Sequence, residues 1–420
     1  MTRARQLQNS YLKAKSNSFA AHTSASLRNR RPRTKDALEI RIRLLDKAIV
    51  TGDIPALRKL SVTGQGFVND GIRRRAWPLL LRTHVPRREV ISDSEKHKDE
   101  SQVELDIIRS FTHLSSESKS KQIIKKQRQT DLQDIIMDVL QRHPKLAYYQ
   151  GFHDVCTTLL VVLGKEAATL AAETLAMFFF RDCMLDNLEP VLDQLSLMTA
   201  LLRLEDPEVQ DFLDKSETLP FFPLSWVITW CAHDLGDFAK IARLYDFLIC
   251  FNPLMSVYLT AAVVMSRRDE LFEVECDNAM VHTFLTKFPK DVDLERVISH
   301  AHQLYTTYPP ESLQNRAESW LDVNSCVNTF NRPGTSLYNN DKIILTAVDF
   351  GPIDALLSQP RIKKTKETSA LSKYPTSALQ LYRRNMAAMV AFSAASVGTA
   401  ALLLMNSTVF REWLANSGLR

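Results

Sequence analysis

The sequence predicts an all-α protein, in which an irregular multi-helix domain is followed by a single transmembrane helix near the carboxyl terminus. Only 11 of the 420 residues are glycine, and apolar residues recur at the 3.6-residue spacing of amphipathic helices. The composition, 45% hydrophobic and 24% charged, is typical of a globular chain. Residues 385–410 contain no charged side chain, which sets them apart from the rest of the chain.

The amino-terminal segment, residues 1–35, is basic and contains no acidic residue. Many serines lie between its lysines and arginines. Two interpretations fit this composition: a disordered basic arm that lies near anionic lipid, or a mitochondrial transit peptide. The net charge of the whole chain is only +5, so the distribution of charge is more informative than its sum.

Two helices are predicted before residue 82. Residues 37–50 have apolar side chains at helical spacing, and Thr51-Gly52 is a stop signal. Glycines at 64, 66 and 71 precede the second helix, residues 73–81, in which Trp77 and Leu80 point inward. Its three arginines, Arg73 to Arg75, are expected to face water or an acidic partner. The glycines do not form a G-x-G-x-x-G phosphate loop.

The segment Val103 to Phe111 is predicted to be helical, with Val103 and Ile107 facing inward. Asp106 and Arg109 are three residues apart and are therefore neighbours on the helix surface. Taken alone, such a pair is typical of a solvated ion pair.

Between this helix and the next, residues 115–128 are rich in serine, lysine and glutamine and are predicted to be an exposed loop. Thr130 and Gln133 then form a possible capping box for a helix that ends at His143-Pro144. The tetrapeptide Tyr148-Tyr149-Gln150-Gly151 follows and opens the apolar run 152–163, so Gln150 is expected near a helix beginning. Taken alone, Tyr-Gln-Gly is typical of a turn.

From residue 152 to about 304 the pattern remains helical and no repeat is visible, which argues against a solenoid. Proline, glycine or asparagine interrupts it near residues 164, 186–190, 206, 220–223, 252 and 288. The apolar density of residues 254–265 predicts a helix that is buried on more than one side. The six cysteines are scattered without a C-x-x-C pair, which indicates reduced packing residues of a cytosolic domain. His153 near Cys156 and His233 near Cys231 are better explained by local packing than by a zinc site or a protease dyad.

Beyond Pro309-Pro310 the periodicity weakens, and residues 309–384 are predicted to be a linker with one or two marginal helices. Residues 386–405 alone would span about 30 Å as a helix, so 385–410 is a transmembrane candidate. A buried helix of a soluble domain is the alternative. Few residues follow this segment, so the chain is predicted to be tail-anchored, with its body in the cytosol and basic residues on the cytosolic side.

The segments around Arg109 and Gln150 resemble the I-x-x-D-x-x-R and Y-Q-G motifs of the TBC family, all-helical activators of Rab GTPases, with Val103 in place of the usual isoleucine. Residues 71–81 resemble the family's G-I-R-x-x-x-W-x-x-L-L segment, and residues 220–230 and 243–248 resemble its later motifs. The resemblance extends over residues 66–265. It implies a domain at 36–308 with that core.

The resemblance implies that Arg109 and Gln150 are supplied in trans to a Rab in its GTP form. Arg109 would stabilise charge on the phosphate and Gln150 would orient water, with Asp106, Tyr149 and Gly151 in supporting roles. The chain has no P-loop sequence, so GTP and Mg²⁺ would belong to the Rab. The chain is expected to have no cofactor, metal or nucleic-acid partner of its own. It is also expected to catalyse no reaction independently of the Rab.

Together with the predicted anchor, the chain resembles the endoplasmic-reticulum branch of the family, which implies a Rab of the early secretory pathway, in endoplasmic-reticulum-to-Golgi transport. The alternative location is the mitochondrial outer membrane, because of residues 1–35. The alternative function is a membrane-anchored Rab-binding scaffold without catalysis, which would need neither Arg109 nor Gln150.

Overall fold

The computed structural model describes residues 34–83, 96–111, 119–338, 345 and 347–362. These residues form α-helices, one 3₁₀ turn and irregular connections, and they contain no β-strand. The predicted all-helical class is therefore confirmed for this part of the chain. In chain order the helices are α1 Thr34–Thr51, α2 Ile54–Val62, α3 Asp70–Leu80, α4 Glu100–Arg109, α5 Lys119–Arg142, α6 Phe152–Leu163, α7 Lys165–Phe178, α8 Glu189–Glu205, α9 Pro207–Lys215, α10 Leu224–Thr229, α11 Phe238–Leu248, α12 Met255–Ser266, α13 Arg268–Phe272, α14 Asn278–Leu285, α15 Leu294–Thr307, α16 Pro310–Ala317, α17 Cys326–Thr329 and α18 Ala347–Leu356.

The chain divides into two compact units, residues 1–44 and 45–420. The described part of the first unit is the beginning of α1, where Glu39 and Arg43 form an ion pair one helical turn apart, at 3.8 Å. Helix α1 ends at Thr51, and Gly52 has a φ of +65°. This left-handed glycine directly after a helix is the stop signal that the sequence predicted.

The core of the second unit is built around α12. Every residue from Met255 to Val264 is buried, because α15, α8 and α10 pack against different faces of this helix. A helix that is apolar on all sides is stable in water only when its neighbours enclose it. The sequence predicted such burial for residues 254–265.

The predicted breaks between residues 163 and 294 coincide with helix ends. Gly164, with a φ of +80°, separates α6 from α7. The Asp206 side chain accepts a hydrogen bond from the backbone N–H of Val209 (3.2 Å), and Pro207 is the first residue of α9. An aspartate cap followed by proline is a strong helix start, since proline has no N–H to satisfy there.

The predicted loop over residues 115–128 is wrong for residues 119–128, and so is the capping box at Thr130. Helix α5 runs without interruption over 24 residues, and Thr130 lies in its interior, where its hydroxyl donates to the carbonyl of Lys126 (3.1 Å). Lysine and glutamine are good helix formers, so this stretch is helical although it is polar. Its low apolar content reflects exposure to solvent.

The expectation that Arg73 faces water or an acidic partner molecule is also corrected. Its side chain is 7% exposed and donates from Nε and Nη2 to the buried carboxylate of Asp246, at 3.0 Å. The same carboxylate accepts the indole N–H of Trp77 (2.9 Å) and the backbone N–H of Phe67 (3.0 Å). Asp246 therefore joins α11 to α3 and to the turn that precedes α3.

We expect Asp246→Ala to destabilise the protein by about 3–5 kcal/mol, because it leaves the Arg73 guanidinium buried without its main counter-charge. The matched control is Asp46→Ala, which removes the ion-pair partner of Arg75 (Nη2 to Oδ1, 2.6 Å). Arg75 lies on the same helix α3 as Arg73, but its ion pair with Asp46 is exposed. Exposed pairs contribute about 0–1 kcal/mol. Urea denaturation followed by circular dichroism measures both changes, and equal midpoints for the two variants would contradict the prediction.

Residues 310–338 and 347–362, which belong to the predicted linker, pack on the helical domain. Arg181 donates to the carbonyl of Asn324 (2.9 Å) and to the hydroxyl of Thr329 (2.7 Å). His143, buried at the end of α5, lies within hydrogen-bonding distance of Glu173 (2.9 Å) and of Asp354 on α18 (2.8 Å). The described part of this segment is therefore part of the folded body.

None of the described helices combines the length and the apolar character needed to cross a membrane. The predicted span 385–410 and residues 1–33 of the predicted basic arm 1–35 lie outside the described residues, and residues 34 and 35 begin α1. Both stay predictions.

Candidate functional site

Helix α4 presents Arg109 at its carboxyl-terminal end. Val103, Asp106 and Ile107 form the buried face of this helix, whereas Ile108 and Arg109 are exposed. Arg109 makes no ion pair with another residue in the described part of the chain. A guanidinium carries five N–H donors in a planar fork that matches phosphate oxygens, so Arg109 is chemically able to contact a phosphate on another molecule.

Asp106 does not pair with Arg109, although the two are only three residues apart. Its carboxylate is 1% exposed and accepts a hydrogen bond from the phenol of Tyr148 at 2.8 Å. The amide of Gln102 lies at 3.4 Å from the other carboxylate oxygen. The simple interpretation of an exposed ion pair is therefore wrong, since the aspartate is directed inward to the segment that carries Gln150.

Tyr148 holds the Gln150 segment against α4 through two groups. Its hydroxyl donates to Asp106, and its backbone N–H donates to the carboxylate of Asp99 at 2.8 Å. Burial and the nearby charge of Asp106 raise the pKa of the Tyr148 phenol well above its usual value. The phenol therefore stays protonated and remains a donor. Asp99 lies just before the first residue of α4 and Asp106 lies in its last turn, so the two contacts attach both ends of the Arg109 helix to the residue two positions before Gln150.

Tyr149 anchors the segment in the core. Its hydroxyl donates to the carbonyl of Ile228 at 2.7 Å, and its ring packs on those of Phe152 and Phe180, with centroids 5.8 and 6.4 Å away. Tilted aromatic pairs at such distances add to the stabilisation from burial. The backbone on either side of Gln150 is thus held by buried groups.

Gly151 has a φ of +120°, which residues with a side chain rarely adopt. A Cβ at this position would lie 2.9 Å from Cγ2 of Thr229. Both the backbone conformation and the available space therefore require glycine directly after Gln150. The chain turns here into α6, which begins at Phe152, and Gln150 itself is half-buried in this turn.

A polar network continues from Tyr148 along α6. The His153 ring lies 3.1 Å from the Tyr148 hydroxyl, and His233 lies 3.0 Å from the carboxylate of Asp154. Burial alone would raise the pKa of Asp154, but the hydrogen bond from His233 and the charges of both histidines outweigh it, so the pKa is lowered. The same hydrogen bond raises the pKa of His233. Each histidine thus has a local structural partner.

The cysteines near these histidines, Cys156 and Cys231, are buried. Burial raises the pKa of Cys156 and of Cys231 well above the usual value, so both stay as thiols. All six cysteines are free, and five of them are buried. Within the described residues no group of three or more histidine, cysteine, aspartate or glutamate side chains is arranged to hold a metal ion.

Sequence reasoning selected Asp106, Arg109, Tyr149, Gln150 and Gly151, and the structure links the two short segments that contain them through Asp106 and Tyr148. It missed Tyr148 as the partner of Asp106, and Asp99 as the acceptor for the backbone of Tyr148. Both missed residues adjoin the motifs, but neither lies at a helical or strand spacing from its partner, so no local pattern identifies them.

Comparison with known proteins gives one family. Residues 70–272 match the Rab-GTPase-TBC domain. The chain is 37% identical to TBC1 domain family member 20 of Bos taurus over 268 residues, which are 63% of this chain and 66% of that relative, just under two thirds of its length. It is 32% identical to the GTPase-activating protein gyp10 of Schizosaccharomyces pombe over 273 residues, 63% of this chain and 72% of that protein.

Among solved structures, the Ypt/Rab-GAP domain of Gyp1p is similar to this fold. The match covers 64% of this chain and 99% of that domain, with a TM-score of 0.50 and 20% sequence identity. At this identity the likeness concerns the fold alone. The described helical domain thus has a TBC-type architecture.

Proposed function

The chain belongs to the Rab-GTPase-TBC domain family, and from that premise we propose that it activates GTP hydrolysis by a Rab GTPase, to which it supplies Arg109 and Gln150 in trans. The observation that carries this proposal is the connection between the two motifs. An exposed arginine at a helix end is linked, through the buried Asp106–Tyr148 hydrogen bond, to the segment that carries Gln150.

The chemistry of the proposed reaction assigns one task to each side chain. Water attacks the γ-phosphorus of GTP, the bond from that phosphorus to the bridging oxygen breaks, and GDP and inorganic phosphate are released. Negative charge accumulates on the bridging and γ-phosphate oxygens, and Arg109 stabilises it. The Gln150 carboxamide can accept a hydrogen bond from the water and donate one to a phosphate oxygen, so it orients the water in place of the Rab's own glutamine.

The supporting residues act by preorganisation. Asp106 holds the Gln150 segment against α4 through its hydrogen bond with Tyr148. Tyr149 anchors the backbone of that segment in the core, and Gly151 adopts the turn that a residue with a side chain would not fit. Because these groups are in place before the Rab binds, little reorganisation is needed in the transition state. The nucleotide and Mg²⁺ are part of the Rab.

The test is a panel of purified Rabs loaded with GTP and mixed with residues 34–362 of this chain. A shorter fragment ending near residue 310 is unsuitable, because it removes the partners of Arg181 and Asp182 in the folded body. Stimulated release of phosphate from one Rab or a small group supports the proposal. Binding to a GTP-loaded Rab without stimulation identifies the chain as a scaffold instead.

We also propose that the substrate is a Rab of the early secretory pathway and that residues 385–410 anchor the chain in the membrane of the endoplasmic reticulum, with the helical domain in the cytosol. The uncharged stretch at 385–410 supports the anchor. Fluorescent fusions of residues 370–420 and of residues 1–35 test this location. Delivery of the first to mitochondria, or its failure to sediment with membranes, would contradict it.

A further inference from the structure

Gln129 on α5 contacts the end of the helix that carries Arg109. Its side-chain amide lies 3.0 Å from the carbonyl oxygen of Ile107, 3.1 Å from that of Ile108 and 3.4 Å from that of Ser110. All three neighbours are acceptors, so the nitrogen of the amide must face α4. The two shorter contacts use its two N–H groups, and the third is weak.

These carbonyls belong to the part of a helix that needs external partners. The last four C=O groups of an α-helix have no N–H partner within the helix. In α4 the hydroxyl of Ser110 donates to the carbonyl of Asp106 (3.1 Å) and its backbone N–H to that of Ile107 (2.9 Å). Gln129 adds a second donor to Ile107 and is the donor to the carbonyl of Ile108. Gln129 thus caps the turn from which Arg109 projects.

The chain directly after Arg109 is held as well. Phe111 is buried and has a φ of +57°, the left-handed conformation that aromatic residues rarely adopt. Such a conformation persists when the surrounding structure over-determines it. The backbone of Arg109 therefore lies between a capped turn on one side and a buried aromatic anchor on the other.

Gln129 is itself placed by the core. In α5 the residues from 120 to 124 are exposed, and Leu132, one turn after Gln129, is the first buried residue of the helix among those described. Gln129 thus lies where α5 joins the packed body. By contrast Gln127 donates within its own helix, to Asp131 four residues on (3.0 Å), and makes no contact with α4 that the structure describes.

We propose that Gln129 is a positioning residue for Arg109: it holds the last turn of α4 so that the guanidinium meets the phosphate in the transition state. This inference rests on the proposed function. Gln129 acts through Arg109 and not through binding of the Rab, so its loss lowers kcat and leaves KM almost unchanged. A displacement of about 1 Å at a catalytic group costs up to roughly a hundredfold in rate.

The test compares three substitutions of Gln129 with the matched control Gln127→Met in the full chain. Gln129→Met keeps the length of the side chain without a donor, and Gln129→Glu places acceptors against the carbonyls; both are expected to lower kcat by about ten- to a hundredfold. Gln129→Lys keeps a donor and adds a positive charge at a helix C-terminus, so it should retain most of the activity. Gln127→Met should behave as the unmodified chain.

A double-mutant cycle separates positioning from general damage. In an Arg109→Ala background, Gln129→Met should change the residual rate by less than about twofold, because the group that it positions is absent. An equal loss in both backgrounds, or kcat values for Met and Glu within twofold of the control, overturns the inference. Failure of the proposed function has a different signature, since the unmodified chain would then stimulate no Rab, or Arg109→Ala would have no effect.

Discussion

Arg109→Ala is expected to lower the stimulated rate of GTP hydrolysis by about a thousand- to a hundred-thousandfold, the contribution of an arginine finger. The effect arises from charge: the guanidinium neutralises oxygens that become more negative only as the γ-phosphate bond breaks. Single-turnover hydrolysis by the GTP-loaded Rab, measured as phosphate release, gives the ratio directly.

Arg109→Ala should leave the protein folded. The side chain is exposed and forms no ion pair within the described residues, so its removal costs little packing. Arg109→Lys keeps the charge but loses the planar fork, and we expect it to recover only a small part of the rate. Glu104→Gln, at an exposed position of the same helix, is the matched control. Hydrolysis that is unaffected by Arg109→Ala at normal stability would remove Arg109 from the mechanism.

The positions of most helices could be predicted because their ends depend on local chemistry. Gly52 and Gly164 end helices with positive φ values, and Asp206-Pro207 begins one. These signals act over a few residues and are visible in the chain itself. The buried helix α12 was also predictable, since ten consecutive buried positions leave an apolar run that no exposed helix would carry.

Helix α5 was mispredicted over residues 119–128 because this stretch has no apolar periodicity that would indicate a helix. This stretch is polar, and its described side chains are mainly exposed, so it has no buried face to produce a pattern. Its lysines and glutamines are nonetheless good helix formers. For the same reason the contact of Gln129 with α4 could not be predicted, since its carbonyl partners lie about twenty residues earlier in the chain.

Long-range polar pairs explain why the predicted exposure of Arg73 and the simple interpretation of Asp106 and Arg109 as an ion pair were wrong. Arg73 is buried because Asp246, 173 residues further on, provides a matching carboxylate. Asp106 turns away from Arg109 because Tyr148, 42 residues further on, provides a buried donor. Buried charges and polar groups require partners, but a single sequence does not say which distant residue provides them. The residues at the site were found by resemblance, and the contacts that hold them were found only in the structure.

Gln150→Ala is expected to lower the stimulated rate almost as much as Arg109→Ala, and the double variant should be far less impaired than the product of the two losses. Both side chains act on one transition state, and removal of either leaves the other without a correctly organised target, so their effects are strongly non-additive. The matched experiment uses a Rab whose own water-orienting glutamine has been replaced. The unmodified chain should still stimulate that Rab, because the carboxamide comes from Gln150, whereas Gln150→Ala should not. Loss of stimulation with both forms of the chain would assign the orientation of water to the Rab, and Gln150 would then serve only the contact between the two proteins.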